Sequence, residues 1–276
     1  MNIMCRLLPK YFSLQLIMSA VKLVGGTVAG LGGFWAVAQI TALGVSRNKS
    51  DSYEMDFPTE SDRKQLFSSL APKWDSTVRW DELTSGITRW RRQLALRARG
   101  DVLEVAIGTG RNLDYYRSDQ VNSITGIDFS RRMLETILTK RNTGNLKSDI
   151  ELKLKVGNCS DLSEFSDKHF DTVVDTFGIC SFEDPVSALK EMKRVCKEDG
   201  QILLLEHGES DWPWMQGLLS RQVAVHVKKF GCYNHRSIRS LIDEAGLEIV
   251  SEKRKHWGTI YFYVCSPHKQ KPSTFS

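Results

Sequence analysis

The sequence predicts an α/β fold, a seven-stranded, mostly parallel sheet with helices on both faces, preceded by a transmembrane helix. Three observations point there. Short, β-branched apolar runs alternate with segments of helical periodicity from residue 60 to 267. The first run ends in a glycine-containing turn, Gly108-Thr109-Gly110, of the kind that leads from a strand towards a ligand. Ahead of all this lies an uncharged apolar run of membrane-spanning length, Leu23 to Val45.

The N-terminus comes first. Residues 1–22 are basic, apolar and free of acids, like a weak mitochondrial presequence. Residues 23–45 would form a helix of about 34 Å, enough for a hydrocarbon core of about 30 Å. Lys22 flanks this run on one side, and Arg47 and Lys49 flank it on the other. Its six glycines disfavour a helix in water and are tolerated in lipid. Gly25, Ala29 and Gly33 recur every fourth residue, a face on which a second helix could pack closely. These features predict a single-pass anchor in a mitochondrial membrane, with the endoplasmic reticulum membrane as the alternative. Residues 46–59 read as a polar linker and 268–276 as a tail.

Within residues 60–267, helical spacing (Leu66, Phe67, Leu70) runs to Pro72 and resumes through Ile87, Trp90 and Leu94. The first strand is predicted at 101–107. A helix is predicted from about Arg111, and a second strand at 123–128. A further helix starts after Ser130, a candidate N-cap. Strands follow at 151–156, 170–176 and 201–206, with a helix at 188–197 before the last. A helix at 237–245, closed by Gly246, precedes two final strands at 247–253 and 259–265.

Charge and cysteines exclude some functions. The first 50 residues carry five basic residues and no acid, so residues 51–276 hold 33 of each sign and sum to zero. A balanced soluble part does not suit nucleic acid as the main partner. The six cysteines include no C-x-x-C and match no zinc framework, so they read as buried thiols. His226 and His235 are not spaced as ligands of one metal, and no metal site is expected.

The chemistry centres on Glu104-Val105-Ala106-Ile107-Gly108-Thr109-Gly110. A dinucleotide fingerprint would need a third glycine where Leu113 stands, which counts against a nicotinamide oxidoreductase. An acid before the turn suits a cationic ligand instead. Here the sequence resembles the class I S-adenosylmethionine-dependent methyltransferases, whose first motif is commonly E/D-x-G-x-G-x-G, with Ala106 replacing the first glycine. The resemblance implies S-adenosyl-L-methionine as cofactor. It implies binding roles for Glu104, Ala106, Gly108, Gly110 and Asn112 around the turn. It gives Asp128 the ribose hydroxyls, Asn158 and Cys159 the adenine, and Thr176 the methionine end. Trp74 and Asp75 stand where relatives use a Tyr-Asp pair to cover the cofactor.

The segments TRWRRQLAL, FGICSF, LLLEHGES and HWGTIYFYVCSP are similar to two narrower groups. These are the ubiquinone/menaquinone C-methyltransferases and the methyltransferase-like proteins of the mitochondrial inner membrane known from fungi. The resemblance covers about residues 60–267. It implies the mitochondrial inner membrane as the site of the anchor, and a quinone-like or other apolar small molecule, or a membrane protein, as methyl acceptor. The alternative is an assembly factor for inner-membrane complexes with little or no catalysis. His207, after the fifth strand, is the candidate general base, with Glu206 and Glu209 as alternatives. Residues 210–236, with Trp212, Trp214, Met215, Leu218 and Leu219, could form an apolar lid, lie on the membrane surface, or pack as an ordinary helix.

Overall fold

The computed structural model of the chain describes residues 57–268. The anchor at 23–45, its Gly25/Ala29/Gly33 face and most of the 46–59 linker lie outside them. Among the described residues, no helix is long and apolar enough to cross a membrane.

Three helices come first: α1 (Glu60–Leu70), α2 (Trp74–Ser85) and α3 (Ile87–Ala95). Thr59 and Asp62 cap the start of α1 reciprocally, each side chain taking the other's backbone N–H. Ala71–Lys73, containing Pro72, tightens into a 3₁₀ turn between α1 and α2. Gly86, at φ +76°, turns α2 into α3.

The sheet follows: β1 (Gly100–Val105), β2 (Val121–Asp128), α4 (Arg131–Asn142), β3 (Glu151–Val156), β4 (Phe170–Thr176), α5 (Pro185–Val195) and β5 (Cys196–His207). The long helix α6 (Pro213–Phe230), then α7 (Ile238–Glu244), β6 (Glu248–Lys255) and β7 (Ile260–Ser266), complete it. The strand order is β3-β2-β1-β4-β5-β7-β6, with β7 antiparallel to both neighbours and the rest parallel.

Alternation along the central strands sorts side chains into two cores. Leu103, Val173, Ile202 and Leu204 join Leu189 and Met192 of α5 and Ile238 and Ile242 of α7 on one face. Val102, Val174, Leu203 and Leu205 join Trp90 and Leu94 of α3 and Leu134 and Ile137 of α4 on the other. Leaving β1, the chain winds to β2 and β3 on one side and then to β4 and β5 on the other. The carboxyl ends of β1 and β4 therefore flank the switch point where such sheets bind ligands.

One predicted element is absent. The helix expected from Arg111 is only a 3₁₀ turn, Leu113–Tyr115. Ten residues, 111–120, separate Gly110 from β2. As an α-helix they would advance about 15 Å and leave nothing for the return. The segment instead folds inward: Leu113 is buried against the core and Tyr116 reaches Glu104 beneath the sheet edge. Helix α6 lies within the 210–236 segment and buries Met215, Leu219, Val223 and Val227; Trp214 and Val225 on it, and Trp212 just before it, are exposed.

Candidate active site

A cavity of about 470 Å³ opens at the carboxyl edge of the sheet. Its floor is the turn 106–109, Asp128 and Phe129, residues 158–160, and residues 176–178. Its roof is Arg63, Phe67, Trp74, Val78 and Glu82 from α1 and α2, with Leu219, His226 and Phe230 from α6. Of the residues predicted from sequence, Trp74, Ala106, Gly108, Asp128, Asn158, Cys159, Thr176 and His207 all line it.

The floor is built on left-handed backbone. Ala106, Gly108 and Gly110 have φ of +48°, +58° and +73°. A non-glycine residue in that region carries about 1–2 kcal/mol of strain, and Ala106 carries it where the related motif has glycine. Its methyl is accommodated because Gly178 faces it; a Cβ on Gly178 would lie 2.8 Å from that of Ala106. Gly108 donates its N–H to Asp128 Oδ2 at 2.9 Å, and Ser130 donates to Oδ1 at 2.8 Å. Burial nevertheless pushes the Asp128 carboxyl up to about 6, against the pull of those two N–H groups.

Glu104, Gly110 and Asn112 do not reach the cavity. The acid expected to edge it is sealed beneath: Asn112 Nδ2 donates to Glu104 Oε1 at 2.8 Å, and the Tyr116 hydroxyl donates to Oε2 at 2.7 Å. Burial raises the Glu104 carboxyl to about 7. The reason lies in the missing helix, since the inward fold of 111–116 supplies both donors. Asn158 lines the cavity, but its Oδ1 already accepts the Ser160 N–H at 2.9 Å, leaving one lone pair for a ligand. Burial holds the Cys159 thiol well above its ordinary range, so it is an uncharged wall.

The roof is tied down by a network that sequence reading missed. Arg91 donates to Glu82 Oε1 at 2.8 Å, to Asn112 Oδ1 at 3.0 Å and to Thr176 Oγ1 at 2.8 Å. Arg111 donates to Glu82 Oε2 at 2.6 Å and to Asp75 Oδ1 at 3.3 Å. Thr109 donates to Asp75 Oδ1 at 2.6 Å, and Lys140 also pairs with Asp75. Asp75 thus joins α2 to the motif turn, while the Trp74 ring packs edge-on against Phe67. Arg63, 1% exposed, donates to Pro58 O and Tyr233 Oη and pairs with Glu183, fastening α1 across the cavity. An arginine within an amphipathic helix reads as a solvated charge from sequence; only the partners brought by other elements give these two away.

On the far wall, the His207 ring stacks on Phe177 at 4.3 Å. Its Nδ1 lies 3.7 Å from Cys232 Sγ. Glu206 and Glu209, the alternative bases, do not line the cavity. Glu206 is fully buried, accepts the Cys180 N–H, and is held well above the usual carboxylate range by burial and by Asp175. Acids outnumber bases on the walls: Glu60, Asp81, Glu82, Asp128, Glu183 and Asp184 against Arg63, Arg91 and Arg111. That surplus suits a cationic ligand.

Comparison with known proteins agrees. A family model described as a methyltransferase domain matches residues 103–204. Methyltransferase OMS1, mitochondrial, of Saccharomyces cerevisiae is 32% identical over 216 residues, which are 74% of this chain and 46% of the yeast protein. The chain therefore spans less than half the length of that relative. The ubiquinone/menaquinone biosynthesis C-methyltransferase UbiE of Citrifermentans bemidjiense is 35% identical over 198 residues, covering 69% of this chain and 82% of that protein. Among solved structures, the [4+2]-cyclase SpnF superposes with a TM-score of 0.57 at 17% identity, covering 74% of this chain and 77% of that one, a likeness of fold alone.

Two outcomes test this geometry. Ala106→Gly should raise stability by about 0.5–1 kcal/mol in urea unfolding, because relief of the left-handed strain exceeds the added freedom of the unfolded chain. Glu104 prefers its neutral form in the fold. Its stabilisation is therefore complete below the ordinary value of 4.5 and fades as pH rises to about 7. Glu104→Gln should reduce the loss of stability between pH 5 and 7, by about 2 kcal/mol, as read from urea midpoints at the two pH values.

Proposed function

The chain belongs to the class I S-adenosylmethionine-dependent methyltransferases, and we propose that it methylates an apolar, quinone-like small molecule at a mitochondrial membrane. The observation that carries this reading is the composition of this cavity: a carboxylate, Asp128, on a polar floor, under an apolar roof of Val78, Leu219 and Phe230.

S-Adenosylmethionine is the cofactor, and when bound it supplies a methyl group already activated on a sulfonium. The residues present fit it. Asp128 keeps lone pairs beyond its two backbone bonds and would accept from the ribose hydroxyls. Phe129, Met133, Asn158 and Cys159 would hold the adenine. Ala106, Gly108 and Thr176 would border the methionine end, where the left-handed turn leaves the main chain open to a ligand. The acidic surplus favours the sulfonium and ammonium charges. Trp74, fixed by Phe67, would cover the site and exclude water. The remaining task of the protein is to orient the acceptor, for which Phe177, Leu219, Phe230 and Ile260 supply apolar walls.

Residues 23–45 would hold the enzyme at the bilayer where an apolar acceptor concentrates. Their Gly25/Ala29/Gly33 face would take a second transmembrane helix. The name of the yeast relative supports the mitochondrial assignment.

Titration calorimetry of the full chain tests the cofactor site. One S-adenosylmethionine should bind per chain, and Asp128→Ala should weaken it by about 10- to 100-fold with the circular dichroism spectrum kept. Binding of NADH in its place would overturn the reading. Alkaline carbonate extraction of mitochondria should leave the chain in the membrane pellet, and deletion of residues 1–45 should release it. Recovery of the intact chain in the supernatant would remove the anchor from the proposal.

A further inference from the structure

Cys180, His207 and Cys232 converge on the acceptor wall from three separate segments. Cys180 lies in the turn after β4, His207 ends β5, and Cys232 follows α6. Their donor atoms all lie within 4.8 Å of one another. Cys232 Sγ is 3.1 Å from Cys180 Sγ and 3.7 Å from His207 Nδ1. The two cysteines are 52 residues apart in sequence, so no ligand spacing announces them.

The fold holds the three in place. The Tyr233 N–H donates to the Cys180 carbonyl at 2.8 Å, joining the loop after α6 to the turn after β4. Gly231, at φ +70°, turns the chain off α6 directly before Cys232. The Cys180 N–H donates to Glu206 Oε2 at 3.1 Å, and Phe177 fixes the plane of the imidazole. Both cysteines are buried, whereas His207 and Cys232 line the cavity.

We propose that Cys180, His207 and Cys232 bind one Zn²⁺ ion, with the fourth coordination position open to the cavity. Two thiolates and one imidazole are a soft, borderline donor set that suits zinc. Three protein ligands with an open position mark catalytic rather than structural zinc sites. Each thiol gives up a proton as its sulfur–metal bond forms, so two protons leave per ion and the site becomes electrically neutral. His207 then serves as a ligand through Nδ1, in place of the general-base role its position after β5 suggests. A hydroxyl or thiol acceptor entering the open position would lose its proton to water at neutral pH. Metal binding does not depend on the identity of the methyl acceptor.

The test is equilibrium dialysis of the full, reduced chain against Zn²⁺, with Co²⁺ as the spectroscopic probe. One ion should bind per chain, and the Co²⁺ form should show thiolate charge-transfer absorption. Cys180→Ser and Cys232→Ser should each weaken binding by more than about 100-fold. Cys196→Ser, at the opposite end of β5, should bind as the unaltered chain does. Because a buried variant can unfold, the unaltered chain provides a second reading: a chelator should make two further thiols reactive to a thiol reagent. Zinc retained by a chain carrying both Cys180→Ser and Cys232→Ser, or Cys180 and Cys232 recovered as a disulfide with no metal, overturns the site. A chain that binds S-adenosylmethionine and no zinc removes the metal and leaves the methyltransferase reading standing. A chain that binds zinc and no cofactor does the reverse.

Discussion

The Gly108 N–H donates to Asp128 Oδ2 at 2.9 Å, joining the turn that leaves β1 to the end of β2. The floor of the cavity takes its position from that junction. The turn can form only with left-handed backbone at residues 106, 108 and 110. It can sit against β4 only because Gly178 has no side chain to meet Ala106. The same carboxylate receives the Ser130 N–H and so sets the entry of α4. A buried carboxyl with two donors and room for more is costly as structure alone. Its orientation towards a cavity gives that cost a purpose.

The second constraint is the ionic seam under the roof. Glu82 and Arg91 are both almost fully buried, and Arg111 joins them. Removing such charges from water cancels most of their attraction, so the seam adds little stability on balance. It does specify geometry. Arg91 can satisfy Glu82, Asn112 and Thr176 together only when α2 and α3 lie in one position over the strand ends. A helix pair held by apolar packing alone could slide. Held this way, the roof keeps a constant height above the turn.

Much of this was legible in the sequence, and the exceptions have a common cause. Periodicity located all seven strands: the inner ones are buried on both faces and so read as apolar, β-branched runs, whereas the edge strand β3 reads by its alternation of apolar and charged residues. Gly108 and Asp128 were readable because their roles are local to a strand end. The helix at Arg111 was not, since its absence follows from the short return to β2 and from a long-range tie between Tyr116 and Glu104. That tie also turned Glu104 away from the cavity it was expected to edge. Arg63, Arg91 and the Cys180/His207/Cys232 cluster were illegible for the same reason: each is defined by partners from other elements.

Phe177 shows how the two halves of the cavity are coupled. It is the second non-glycine residue of the floor in the left-handed region, at φ +64°, directly after β4. Its N–H donates to the Leu205 carbonyl, which locks the strained backbone to β5. One side of the strand end carries Arg91 and Thr176; the Arg91 guanidinium lies 5.5 Å from the Phe177 ring centre. The same ring stacks on His207 at 4.3 Å. The ring therefore touches both the roof network, through Arg91, and the wall after β5, through His207. An extended residue at 177 would send the side chain to the other face of the sheet and leave the imidazole without its neighbour. The strain at this position therefore aligns the wall where an acceptor would bind with the floor where the cofactor would bind, and an in-line transfer needs that alignment.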